Sequence, residues 1–266
     1  MVFEVITSIE KIKTQPWKFM VYVFLASSLG IVVSYFIQPE LSSLLSLFFV
    51  ILAVFPSFYN LILKEEKILE EIENQNPLIA LFQRNKLIIF LYSYLFLGIT
   101  LSYYIWFLIL PENISLVVFK YQISVLENIS GYAVNPTTFQ VIFLNNLKVT
   151  TFAFLLSFLF GTGALFIVAW NASVVGVFLG IFAKKMVAIE NKFLSALFGI
   201  LVGGSSIALH GIPEVMAYFI SGIAGGVLSV GIFNKKYRKR IIKDSLYFYS
   251  LSVIFLFIAA LIESFL

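Results

Sequence analysis

The 266-residue chain has no cysteine, a single histidine and a single aspartate, and charged residues make up only 12% of it. Without cysteine there is no disulfide, no thiolate metal site and no cysteine nucleophile, and no redox compartment can be read from the composition. One histidine excludes a multi-histidine metal centre. The shortage of charge excludes most. A soluble domain carries about 25% charged residues, so this chain has too little polar surface to cover a water-facing globule.

What is present is apolar: 61% hydrophobic residues, 17% aromatic, and a mean hydropathy of +1.00. Of the 18 basic and 14 acidic residues, nine fall in 64–86 and seven in 235–244, half of the total. Between these clumps lie apolar stretches of about 20 residues, the length at which a helix crosses ~30 Å of hydrocarbon. The fold class is therefore all-α, a polytopic transmembrane helix bundle. Seven stretches qualify as spans, near 19–37, 41–63, 87–110, 149–170, 193–209, 212–233 and 245–265. An eighth, 172–183, is too short to cross alone and reads as a re-entrant or broken helical segment. The apolar stretch ending at Ile37 is longer than a signal h-region and no small-residue cleavage site comes after it, so it reads as an anchor.

This layout divides the chain into three parts: an N-terminal transmembrane hairpin over 1–63, closed by Gln38-Pro39-Glu40; a cytoplasmic amphipathic segment over 64–86; and a bundle over 87–266. In the second part Lys67 and Glu71 are i,i+4 neighbours, and Ile68, Leu69 and Ile72 make the apolar side. The stretch 111–144 is the longest polar excursion, and 116–126 in its middle could lie flat at the interface. With a cytoplasmic N-terminus and 172–183 not crossing, 16 of the 18 basic residues fall inside, as the positive-inside rule favours. The C-terminus is then outside. If 171–189 crosses instead and 193–210 re-enters, 13 fall inside. The sequons at Asn113 and Asn128 belong to the outer loop in the preferred arrangement, whereas the one at Asn171 lies at the membrane. Basic residues beside apolar spans contact anionic lipid headgroups. No basic stripe interleaved with stacking aromatics points to nucleic acid.

Residues 145–233 differ from the rest. Small residues recur at four-residue spacing, at Ser157/Gly161, Gly176/Gly180, Gly199/Gly203, Ser221/Gly225 and Gly222/Gly226. Such pairs let helix backbones approach closely, within one chain or across a homodimer. Polar groups also recur at membrane depth, among them Asn146, Asn171, His210 and Glu214, and an ionisable group there is a functional hypothesis. Gly211 and Pro213 predict a helix break, with Pro213 in the first turn of the next helix. His210 and Glu214 then face one side at i,i+4. They read either as a proton relay or polar site facing Asn171 or Asn146, or as a clip that locks two helices together. HGIPE lacks the spacing of a zinc-binding helix, and GGSSI lacks the closing glycine of a nucleophile elbow. No metal, cofactor or catalytic residue is implied.

The run from Asn145-Asn146 through Gly161-Thr162-Gly163 and Asn171 to Leu209-His210-Gly211-Ile212-Pro213-Glu214, and on to Gly225-Gly226 and Gly231, resembles the stage II sporulation protein M family. The family's marks are an asparagine pair before a span, an asparagine between glycine-containing helices, and a His-Gly-x-x-Glu element before a small-residue helix. Here they fall on Asn146, Asn171, His210, Gly211 and Glu214. The resemblance implies a multispanning protein of bacteria or archaea. The sporulation member is the membrane subunit of a complex with cell-wall hydrolases. The expectation is a non-enzymatic membrane scaffold or complex subunit with envelope protein partners. A transporter or channel with a polar site at Asn171, His210 and Glu214 is the alternative, and an intramembrane enzyme with His210 as base is a third reading.

Overall fold

In hydrocarbon every backbone N–H and C=O must be satisfied within the chain, which leaves apolar runs of this length little choice but the helix. The computed structural model describes residues 15–68, 77–132, 139–185, 191–233 and 238–265, and every regular element among them is helical. The helices are α1 Trp17–Ile37, α2 Ser42–Ile68, α3 Pro77–Ile109, α4 Glu112–Val118, α5 Lys120–Tyr132, α6 Phe139–Phe160, α7 Ala164–Lys185, α8 Lys192–Phe198, α9 Gly204–Gly231 and α10 Arg238–Ser264. A 3-10 turn, Pro39–Leu41, joins α1 to α2, and a π turn, Gly199–Gly203, joins α8 to α9 without interrupting the helix. Among the described residues seven helices are long and apolar enough to cross a membrane. The chain is a multi-pass membrane protein.

The seven spans are not all the expected ones. The expected span 149–170 is cut by a turn at Gly161-Thr162-Gly163, so that α6 and α7 are separate spans and 172–183 lies inside a full-length one. Gly161 has a φ of 74°, a left-handed conformation that glycine reaches without a Cβ penalty. A Cβ on Gly163 would overlap the Leu156 carbonyl. Hydropathy does not register such a turn, because glycine and threonine are near neutral. Conversely, the expected pair 193–209 and 212–233 is one apolar stretch, Phe193–Ser229, of 37 residues. At 1.5 Å per residue it is about 55 Å long, far more than one crossing needs. The helix runs through Pro213 without stopping, as transmembrane helices tolerate.

Side-chain pairings give the helix directions. Thr100 donates to the Ala172 carbonyl at 3.1 Å, Gly176 faces Tyr103 and Gly180 faces Phe107, so α3 and α7 run parallel. Ser221 donates to the Thr150 carbonyl at 2.7 Å and Gly225 abuts Phe154 and Ser157, so α6 and α9 also run parallel. Against α9, α7 is antiparallel, with Gly203 on Leu179 and Phe182 and Gly222 on Ala164. So is α10: Ser245 donates to the Ala224 carbonyl, and Leu256 packs with Ala217 and Tyr218. The main core cluster runs from Phe19 and Tyr22 through Tyr92 and Tyr103 to Phe248, with two smaller clusters around Leu179 and around Tyr218, so α1 and α2 pack into the same interior as the later helices.

The excursion between α3 and α6 does not simply lie flat. Ser43 donates to the Val118 carbonyl at 2.7 Å, Phe119 is buried against Tyr103 and Phe107, and Gln122 donates to the Ser173 hydroxyl at 3.2 Å. The start of α5 is thereby wedged against α2, α3 and α7. Residues 64–68 continue α2 as helix, while Leu69, Glu71 and Ile72 of the expected amphipathic segment lie outside the described residues.

Candidate functional site

The six residues singled out by the sequence sit on three helices. Asn146 is on α6, Asn171 on α7, and His210, Gly211, Pro213 and Glu214 on α9. On α6 the buried stripe Ile142, Asn146, Thr150, Ala153, Ser157 faces α9. The stripe repeats every three or four residues, as one face of a helix does. Asn146 is 8% exposed and lies one turn before Thr150. Its neighbours in sequence, Phe143 and Leu147, pack around Ala217 and Tyr218. Asn146 is therefore level with the Glu214–Tyr218 turn of α9.

Glu214 is held by a partner that sequence reading missed. The Tyr218 hydroxyl, one turn on, donates to the Glu214 carboxylate. A second missed residue, Glu263 near the end of α10, lies on the helix that returns beside the Glu214–Tyr218 turn. The antiparallel pairing of α9 and α10 brings it there: Leu256 packs at Tyr218, and Glu263 lies two turns further along. Tyr218 had a signal in the sequence, its i,i+4 spacing from Glu214. Glu263 had none, since it is 49 positions away and depends on which helix returns beside α9.

The expected His210–Glu214 pair is not hydrogen-bonded. The Nδ1 atom of His210 is buried without a hydrogen-bond partner, and Glu214 is engaged by Tyr218 instead. The helix break expected at Gly211-Pro213 is absent as well. Asn171 donates to the Ile167 carbonyl one turn back on its own helix, at 2.8 Å, and makes no hydrogen bond with α9. The structure thus assembles Asn146, His210, Glu214, Tyr218 and Glu263 along the α6–α9–α10 seam and leaves Asn171 on the neighbouring helix. No group of three or more His, Cys, Asp or Glu able to hold a metal exists among the described residues.

Beside this seam α9 has an open stretch. Gly199 and Gly203, at the π turn, are pressed against Ala183, Phe182 and Leu179 of α7, and Gly222 is pressed against Ala164. Between those two pinned points a Cβ added to Gly204 or Gly211 would meet nothing within 4 Å. Ser205 is exposed there too, and Leu209 and Ile212 are each more than 60% exposed. The small-residue faces suggested for a dimer, 199–203 and 221–231, are used inside the chain.

The chain matches the family described as Stage II sporulation protein M over residues 45–266, and it belongs to that family. The matched region takes in most of α2 as well as the bundle after it. No curated protein and no solved structure matches the chain.

Proposed function

We propose that this member of the stage II sporulation protein M family is a non-enzymatic membrane scaffold, a subunit that holds envelope-associated partners through contacts made within the bilayer. The observation that carries the reading is the laterally open half of the continuous helix over 192–231. Its inner half is sealed by close helix contacts, while Gly204, Ser205, Leu209, Gly211 and Ile212 face no other part of the described chain closely. In hydrocarbon there is no hydrophobic drive between helices, and association rests on close backbone approach and interhelical hydrogen bonds. An open glycine-bearing face has the chemistry for that.

The same layout bears on orientation. With all seven helices crossing in alternation and the N-terminus cytoplasmic, 13 of the 18 basic residues fall inside. Those outside are Lys120, Lys148, Lys184, Lys185 and Lys192. The positive-inside bias supports this placement, and it keeps Asn113, Asn128 and the C-terminus outside.

The absence of native cysteine makes the scaffold reading directly testable. Single cysteines replacing Leu209 or Ile212 carry a short photo-crosslinker in native membranes, with Leu29 on α1 as an equally exposed control. The expected result is a discrete protein adduct from positions 209 and 212, absent at 29 and lost when Gly211→Leu is added. Equal lipid-only labelling at all three positions would overturn it.

A second reading, a transporter or channel, is favoured by the polar seam at His210, Glu214 and Glu263, because ionisable groups between transmembrane helices mark ion and substrate paths. Solute or ion flux in proteoliposomes that is lost in Glu214→Gln would establish it over the scaffold.

A further inference from the structure

We infer that α5 is a hinged strap: it pivots at Phe119 and lifts away from α7, and Gln122 sets how readily it does so. The inference does not rest on the scaffold reading. At the pivot the chain is held firmly. Phe119 is fully buried against Tyr103 and Phe107, Ser115 donates to the Leu110 carbonyl at 3.3 Å, and Ser43 donates to the Val118 carbonyl at 2.7 Å. Between α4 and α5 the backbone leaves helical values at Phe119, with φ −109° and ψ 20°, and hinges are residues of this kind at element ends. Beyond the pivot the hold weakens. Ile123 and Leu126 are only half-buried against the core, while Lys120, Tyr121, Ser124 and Glu127 are exposed. An element with few buried contacts opens at lower free energy than the fold around it.

Gln122 carries α5 into the interior at a cost. Its side chain is fully buried, its Nε2 donates to the Ser173 hydroxyl at 3.2 Å, and its Oε1 has no hydrogen-bond partner. Ser173 lies twelve residues before Lys185 at the end of α7, about 18 Å along the helix, so the orphan carbonyl is held at membrane depth. A buried acceptor left without a partner costs more than a typical hydrogen bond contributes. Ser173 does not depend on the amide, because its hydroxyl already donates to the Trp170 carbonyl at 2.7 Å. The wedged position is thus penalised at Gln122, and the penalty ends once the amide reaches water or headgroups.

The lifted position suits the same sequence. Lys120, Tyr121, Ser124 and Glu127 share one side of α5 and are exposed, while Ile123 and Leu126 share the other. That division is the one by which a helix lies in the plane of the membrane interface. One helix therefore has two placements compatible with its residues, wedged and interfacial, and a switching element needs two such states. Lifting α5 uncovers Ser173, which is fully buried in the wedged state.

The test is the distance between two nitroxide labels on the full chain in nanodiscs, measured by pulsed electron paramagnetic resonance. The chain has no native cysteine, so Ser124→Cys on α5 and Lys185→Cys on α7, both exposed, make the reporting pair. Leu44→Cys on α2, 37% exposed, with Lys185→Cys makes a reference pair that leaves the strap out. The expected result is two distance populations for the reporting pair and one for the reference. Gln122→Met keeps the length of the side chain and removes the orphan acceptor, so it should shift the reporting pair severalfold toward the wedged population. Ser173→Ala leaves both amide groups of Gln122 without a partner and should shift it the other way. A glutamine that merely ties α5 down would release it in both variants, and that outcome would overturn the inference. So would a single population for the reporting pair in the parent chain.

Discussion

The two halves of the helix over 192–231 carry the same kind of sequence, rich in glycine and small residues, yet they are used differently. Over 217–227 every residue is buried, and Gly222, Gly225 and Gly231 lie against Ala164, Phe154 and Ile241. Over 204–212 none is fully buried, and a Cβ on Gly204 or Gly211 would touch nothing. In the first half glycine has a reason inside the chain: a neighbouring helix occupies the place of its side chain. In the second half it has none, although glycine lowers the stability of a helix by roughly 1 kcal/mol relative to alanine. Identical spacing therefore has two meanings, and only the packing separates them.

The sealed half is the easiest to break. A Cβ on Gly225 would overlap the Phe154 carbonyl oxygen, a backbone atom that cannot rotate away. Gly225→Val should force α6 and α9 apart. Overpacking typically costs about 1–3 kcal/mol and sometimes more, and this contact belongs at the upper end. Loss of a cooperative thermal transition, or a large drop in its midpoint, is the expected outcome in purified protein. An unchanged midpoint would mean that α6 and α9 do not pack at this glycine.

Gly161 sharpens the comparison because it is a third kind. Nothing lies within 4 Å of its missing Cβ, as at Gly211, yet its φ is 74°. Gly161→Ala should cost about 1–2 kcal/mol, the penalty for a left-handed residue with a side chain. A lowered midpoint with unchanged helix content by circular dichroism is the expected result. If the protein is as stable as the parent, the α6–α7 turn does not hold residue 161 in the left-handed region.

These glycines also show how far the sequence could be read. The bundle was legible, because hydrocarbon thickness fixes helix length and charge scarcity marks the class. The family was legible from Asn146, Asn171, His210, Gly211 and Glu214, and the match over 45–266 agrees. Span boundaries were legible only where a charge or proline cut the apolar run, as at Gln38-Pro39-Glu40. At Gly161-Thr162-Gly163 the cut is conformational and leaves no hydropathy signal. At Pro213 the expected cut is absent, and the helix runs on through it, as transmembrane helices tolerate. The seam was half legible: Glu214 stands out as a carboxylate among apolar residues and its partner Tyr218 lies one turn on, but Glu263 is on another helix, and only the antiparallel return of α10 brings it to the same seam.

The smallest effect tests the open half most directly. Gly211 is helical with a negative φ, a Cβ there meets nothing within 4 Å, and alanine is the better helix former. Gly211→Ala should leave the isolated protein as stable as the parent or stabilise it by up to about 1 kcal/mol, partly by narrowing the unfolded ensemble. The sign is opposite to that at Gly225 and Gly161, although all three are glycine-to-larger changes in or beside the same helices. If the open face serves close approach by another protein, the same methyl group should weaken that association while the isolated chain gains. Thermal midpoint and crosslinking yield from Leu209→Cys, measured on the same preparation, separate the two effects. A raised midpoint with reduced adduct supports a docking face. A lowered midpoint would mean that Gly211 already packs against part of this chain, and the contrast between the two halves of the helix would disappear.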